Sequence, residues 1–143
     1  MLVKSILKEK GPGVVAVGPD MRVIDALQVL ADKRIGAVLV WDNDQKIMGI
    51  LSERDVVRAL PVKGAGILDI PVSELMTRTV VTCRPEDTVD RLMALMTDNR
   101  IRHVPVVESG KLMGIVSIGD VVKNKIAEAE MEAQALKQYI ATG

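Results

Sequence analysis

Phenylalanine is absent from this chain, and Trp41 and Tyr139 are its whole aromatic complement. Single-stranded nucleic acids are held by stacking their bases on aromatic rings, and no such platform is available here. A purine bound by this protein would have to lie between aliphatic side chains. Cysteine is nearly as scarce. Cys83 alone excludes an internal disulfide and a cysteine-based zinc site. In the apolar run Val80-Val81-Thr82-Cys83 it reads as a small buried hydrophobe. Net charge is missing too: nineteen basic and nineteen acidic residues cancel, so no overall field draws in nucleic acid or an anionic membrane. Phosphate recognition would have to be local. No apolar run is long enough to span a bilayer. The opening residues from Met1 to Lys8 show neither an apolar core nor a small-residue cleavage site, so no signal peptide is expected. The expectation is a soluble, cytoplasmic protein without nucleic-acid or membrane partners.

What the chain has is itself, twice. Residues 23–42 and 89–108 align without a gap at a shift of 66, sharing Val23/Val89, Asp32/Asp98, Arg34/Arg100, Ile35/Ile101, Val38/Val104 and Val40/Val106. After a one-residue deletion the match resumes at a shift of 65, where Met48-Gly49-Ile50-Leu51-Ser52-Glu53-Arg54-Asp55 faces Met113-Gly114-Ile115-Val116-Ser117-Ile118-Gly119-Asp120. The lead-in segments Val3-Lys4-Ser5-Ile6-Leu7 and Val72-Ser73-Glu74-Leu75-Met76 also agree. A repeat of this length is a supersecondary unit that buries an apolar face against its copy. The expected division is 1–67 for the first repeat with its N-terminal helix, and 68–143 for the second with a long C-terminal helix.

Within each copy the hydrophobic period changes in the same order. Val23, Ala26, Leu27 and Leu30 fall at i, i+3, i+4 and i+7, as do Val89, Leu92, Met93 and Met96, so both stretches predict amphipathic helices. The turn signals Gly18-Pro19-Asp20 and Arg84-Pro85-Glu86-Asp87 precede them. Strands are predicted over 37–41 and 104–107, then 47–51 and 112–116 after polar turns, giving a hairpin in each copy, with lead-in strands over 14–17 and 80–83. Pro and Gly make 60–67 a connecting loop. After Gly119, to about Ile140, neither Gly nor Pro occurs, and Val122, Ile126, Ala129, Ala133, Leu136 and Ile140 form an a/d seam of just under three heptads. That seam suits a helix packed along its own domain or a contact between subunits.

Chemistry concentrates where each hairpin hands over to a helix through Ser52-x-x-Asp55 and Ser117-x-x-Asp120. Ser-x-x-Asp is a helix-capping pattern. The same geometry suits a nucleotide, because a helix N-terminus offers N–H groups to a phosphate and an acceptor-only carboxylate one turn on grips vicinal hydroxyls. His103, the single histidine, has no nucleophile or orienting acid assembled around it in sequence. No metal-ligand spacing, Rossmann fingerprint or P-loop is present. No catalysis and no metal site are therefore expected.

The doubled unit ending in Gly-h-h-Ser-x-x-Asp (h apolar) resembles the CBS domain, named after cystathionine beta-synthase, and two in tandem resemble the CBS pair or Bateman module. The resemblance covers about Val3 to Lys125. It implies an α+β (α/β) fold: a tandem repeat of two pseudo-two-fold-related small mixed sheets packed with helices. It implies clefts for adenine-containing ligands such as AMP, ADP, ATP, NAD or S-adenosylmethionine, a regulatory role without catalysis, homodimers formed through the helices of the pair, and room for a further protein partner. Carried over by position, one cleft combines Val15, Ile35, Gly36 and Ala37 with Ser117, Ile118 and Asp120. The other combines Thr79, Val81, Ile101, Arg102 and His103 with Ser52, Arg54 and Asp55, and is the more cationic. Lys8 and Lys10 lie beside Gly11-Pro12-Gly13 as candidate phosphate-reaching arms or plain solvated lysines. A ligand-free structural dimerisation adaptor is the alternative function.

Overall fold

The computed structural model describes residues 1–11 and 13–142. Its elements run α1 (Val3–Lys10), β1 (Ala16–Val17), α2 (Val23–Lys33), β2 (Ala37–Trp41), β3 (Ile47–Ser52), α3 (Glu53–Lys63), α4 (Val89–Asn99), β4 (His103–Glu108), β5 (Lys111–Ser117) and α5 (Ile118–Thr142), with 3-10 turns at Ala65–Leu68 and Val72–Glu74. This is the expected α+β class with two small sheets. The chain packs as two compact units, Gly13–Val80 and Met1–Pro12 with Val81–Gly143.

The unit 13–80 holds a three-stranded sheet in which β1 runs parallel to β2 and β3 antiparallel to it, Ala37 lying opposite Ser52 and Leu39 opposite Ile50. Its core gathers Val17, Val23, Ala26, Leu30, Val38, Val40, Leu51, Val56, Ile67, Val72 and Met76. The helical period of α2 supplies Val23, Ala26 and Leu30. The strand period supplies Val38, Val40 and Leu51 from one face. The polar turn between β2 and β3 is fixed by Asp42, whose Oδ1 accepts from the amides of Asp44 (2.9 Å) and Lys46 (3.0 Å).

The other unit repeats the hairpin, with His103 opposite Ser117 and Pro105 opposite Ile115 in β4 and β5. Its core is Val3, Ile6, Cys83, Val89, Leu92, Met96, Val104, Val106, Val116 and Val121. Here the lead-in strand expected over 80–83 shrinks to a single parallel bridge, Cys83 to Val106. The reason lies at one position. In the first copy Leu39 N–H donates to Val15 O (3.3 Å); the repeat places Pro105 where Leu39 stands, and proline has no N–H to give to Val81.

Each lead-in segment belongs to the core of the opposite repeat. Val3 N–H donates to Asp87 O (2.9 Å) and Val89 N–H to Met1 O (3.0 Å), so α1 joins the second repeat. Val72 N–H donates to Met21 O (2.8 Å) and Val23 N–H to Ile70 O (2.9 Å), so the segment after Ile70 joins the first. The sequence repeats divided at 67/68 and the packing units thus differ by an exchange of these segments. The glycines of the repeated motif accommodate them: a Cβ on Gly49 would lie 2.7 Å from Thr77 O and from Met76 Sδ, and one on Gly114 would lie 2.8 Å from Leu7 Cδ2. Gly49 therefore excludes a larger residue without movement of the backbone above it, while at Gly114 the Leu7 side chain would have to shift.

Two further departures from the sequence reading are local. The connection over 60–67 is partly helical: α3 continues through Pro61 to Lys63 and Gly64 N–H closes on Leu60 O (2.9 Å), after which Ala65–Leu68 forms a 3-10 turn that buries Ile67. A proline in a last turn removes a single intrahelical bond. Cys83 is buried as expected, and burial, reinforced by Asp87, pushes its thiol up to about 11. No helix among the described residues is long and apolar enough to cross a membrane.

Candidate functional site: two Ser-x-x-Asp turns

In each unit a hairpin strand delivers Ser to a helix start. Ser52 is the N-cap of α3: its Oγ accepts from Asp55 N–H (3.3 Å), while Asp55 Oδ2 accepts from Ser52 N–H (2.9 Å) and Ser52 Oγ–H (3.2 Å). Ser117 mirrors this before α5, its Oγ accepting from Asp120 N–H (3.2 Å) and its N–H donating to Asp120 Oδ2 (2.8 Å). The next amides, Glu53 and Ile118, donate to Gly36 O (3.0 Å) and Arg102 O (2.8 Å). Of the four N–H groups that a helix start leaves without intrahelical partners, three are consumed in each unit. The capping half of the sequence reading therefore holds in both turns, and the helix N-terminus has less to offer a phosphate than the spacing suggests.

The two turns differ in what surrounds the carboxylate. Thr77 Oγ1–H donates to Asp55 Oδ1 (3.1 Å), so both oxygens of Asp55 are engaged and the hydroxyl of Ser52 is spent on its own Asp. At the other turn Lys10 takes the place of the threonine. Its Nζ lies 2.9 Å from Asp120 Oδ2 and donates to Ile115 O (2.6 Å). The Ser117 amide and Lys10 both fall on Asp120 Oδ2, and the Ser117 hydroxyl also supports the carboxylate. Burial by itself would raise Asp120; the Ser117 amide, then the Lys10 ammonium, overcome that and hold the carboxyl below its ordinary range.

The remaining expected residues fall around these turns within their own units. Ala37 sits opposite Ser52, and Gly36 touches the turn through its carbonyl. Arg54 and Asp55 occupy the first turn of α3. Ile35 and Val15 are half-buried, and Thr79 is exposed. In the other unit His103 sits opposite Ser117, Arg102 is exposed with its carbonyl on Ile118 N–H, and Ile101 and Val81 are half-buried. Sequence reasoning missed Thr77 as a partner of Asp55, and its two alternatives for Lys10, a phosphate-reaching arm or a solvated lysine, did not include the counter-ion of Asp120. Neither link has a sequence signal, because each closes over a long separation.

A hollow of about 460 Å³ opens beside the first turn, lined by Leu27, Leu30, Ala31, Arg34, Ile35, Gly36 and Glu53. Its lining joins apolar side chains to the charged Arg34 and Glu53.

The sequence pattern of the CBS domain matches residues 3–62 and 72–126. The mitochondrial CBS domain-containing protein CBSX3 of Arabidopsis thaliana is 36% identical over 149 residues, spanning 99% of this chain and 72% of that protein. A CBS-domain containing protein from Agrobacterium tumefaciens has a crystal structure similar to this one, with a TM-score of 0.85 at 49% identity over 87% of this chain and 92% of that one. A CBS domain protein from Pyrobaculum aerophilum, solved in complex with AMP, has a TM-score of 0.74 at 28% identity over 84% of this chain and 89% of that one. Both repeats are matched and each hairpin ends in the same Ser–Asp turn: the chain belongs to the CBS domain family.

Proposed function

We propose that this chain is a non-catalytic regulatory module that binds an adenine nucleotide, with Ser117, Asp120 and Lys10 gripping ribose and phosphate. The observation that carries the reading is the charged pair at that turn: an ionised carboxylate with the Lys10 ammonium at 2.9 Å and the Ser117 hydroxyl beside it, groups that a ribose and a phosphate can share. A vicinal diol donates to an ionised carboxylate, a serine hydroxyl donates to a phosphate oxygen, and a lysine neutralises the phosphate charge. The AMP held by the Pyrobaculum relative supports the ligand class. Val15, Ile35, Gly36, Ala37, Ile118, Thr79, Val81, Ile101, Arg102 and His103 belong to the same proposal as base- and phosphate-contacting groups, with AMP, ATP and NAD as the ligands to try. Binding acts by linkage, shifting the protein toward whichever arrangement has the higher affinity for the ligand.

The second reading, a structural adaptor that holds no ligand, is favoured at the other turn. There Thr77 and Ser52 already engage both oxygens of Asp55, with no cation among the bonds described at that carboxylate.

Titrating AMP, ATP and NAD into the protein while following thermal unfolding and binding heat tests both readings. At about 100 times Kd a ligand of the native state adds about 2.7 kcal/mol of stability. Asp120→Ala, which loses charge-assisted hydrogen bonds, should weaken binding by about ten- to hundredfold. The absence of any shift with all three nucleotides would leave only the adaptor, and consumption of the nucleotide on long incubation would overturn the non-catalytic reading.

A further inference from the structure

Helix α5 outruns the unit it starts from. Val121 and Asn124 are buried, but every residue from Glu130 to Thr142 is exposed, and Leu136, Tyr139 and Ile140 are 60%, 74% and 69% exposed. A lone helix of about 12–15 residues is marginal in water, because its nucleation cost is recovered only slowly by added turns. An apolar stripe along such a helix calls for a partner.

The stripe is narrow and regular. Val122, Ile126, Ala129, Ala133, Leu136 and Ile140 are separated by four, three, four, three and four residues, which puts them alternately at the d and a positions of a heptad. All six are exposed. The charges on its two flanks are ordered. Lys125 and Glu132 lie on the g flank; Lys123, Glu130 and Lys137 lie on the e flank.

We propose that α5 docks against α5 of a second copy of this chain, as a parallel, in-register two-stranded coiled coil over residues 122–140. In that alignment each g residue faces the e residue five positions on in the other strand, so Lys125 meets Glu130 and Glu132 meets Lys137. Every such pair is of opposite sign. An antiparallel alignment that overlaps the whole stripe instead sets Glu130 against Glu130 and Glu132 against Glu132, which repel. Lys125 already holds Asp90 at 2.6 Å, so the Glu132–Lys137 pair is the unencumbered one. Ala129 and Ala133 let the two helices approach closely at the middle of the stripe, and Met131, 69% exposed, lies on the outward face. The inference is independent of the nucleotide reading.

Two experiments on the full chain decide it. Leu136→Cys places a thiol on the stripe and Met131→Cys places one on the outward face; Cys83 stays protonated and buried in both. Under mild oxidation the paired thiols of Leu136→Cys should crosslink at least about tenfold faster than those of Met131→Cys, because the docked helices raise their effective concentration. Equal rates, or no crosslinked dimer from Leu136→Cys, would overturn the proposal. In sedimentation equilibrium Glu132→Lys should weaken the dimer, and the double change Glu132→Lys with Lys137→Glu should restore it. A double variant as weak as the single one, or a wild-type chain that stays monomeric, would equally overturn it.

Discussion

At the scale of single residues, the two Ser–Asp turns show how the neighbour of a carboxylate separates a cap from a candidate binding site. Both carry the same reciprocal hydrogen bonds between serine and aspartate. Thr77 closes one with a neutral hydroxyl at 3.1 Å, and Lys10 holds the other with an ammonium at 2.9 Å. The lysine also sets the acid behaviour of Asp120. A carboxyl held below its ordinary value of 3.8 contributes stability that is fully present above that pH and is lost as the pH falls through its lower folded-state value. In Lys10→Met the opposing effect of burial persists while the ammonium is gone, so Asp120 should titrate at higher pH and the stability lost on acidification should shrink. A carbon-13 titration of the Asp120 carboxyl, paired with denaturant unfolding between pH 3 and 7, reads both. An unchanged Asp120 titration would mean that the ion pair does not persist in solution. The serine and aspartate of each turn were legible from their spacing. Thr77 and Lys10 were not, since a partner 22 or 110 positions away leaves no local pattern.

At the scale of elements, periodicity located nearly everything. Apolar residues three and four apart gave α2 and α4, and short apolar runs joined by polar turns gave the two hairpins, because those patterns arise from residues close together in the chain. Ends were less legible. Both α2 and α4 stop at an arginine in the left-handed region, Arg34 (φ 55) and Arg100 (φ 54), where a glycine would be usual. The termini form all the same, with Ile35 N–H on Leu30 O (3.1 Å) and Ile101 N–H on Met96 O (3.0 Å). A side chain held in this conformation costs about 1–2 kcal/mol that glycine avoids, less glycine's greater unfolded-state entropy. Arg34→Gly should therefore raise stability by about 0.5–1 kcal/mol, seen as a higher denaturant midpoint at unchanged slope. A lower midpoint would show that the Arg34 side chain contributes more than its backbone costs. The missing lead-in strand at 80–83 has the same kind of cause: a single proline at 105 withholds one ladder donor.

At the scale of the whole molecule, the exchange of lead-in segments makes a prediction that the sequence repeat alone would get backwards. Ile6 belongs to the first repeat by position, yet it packs with Val89, Leu92, Val104 and Val116 of the second. Ile6→Ala should cost about 2–5 kcal/mol by opening a cavity in that core. Hydrogen exchange should quicken first in α4, β4 and β5, with β2 and β3 keeping their protection. Loss of protection in β2 and β3 instead would return α1 to the repeat it precedes.

The sequence by itself determined the duplication, the order of helices and strands, the apolar faces and the paired Ser–Asp turns, because each is written in neighbours a few positions apart. Only the tertiary structure decided which core each lead-in segment joins and which group shares each aspartate. The two cores repeat one pattern, with Gly114 beneath Leu7 in one and Gly49 beneath Met76 in the other. A repeat offers every segment two equivalent partners, and only packing across the chain chooses between them.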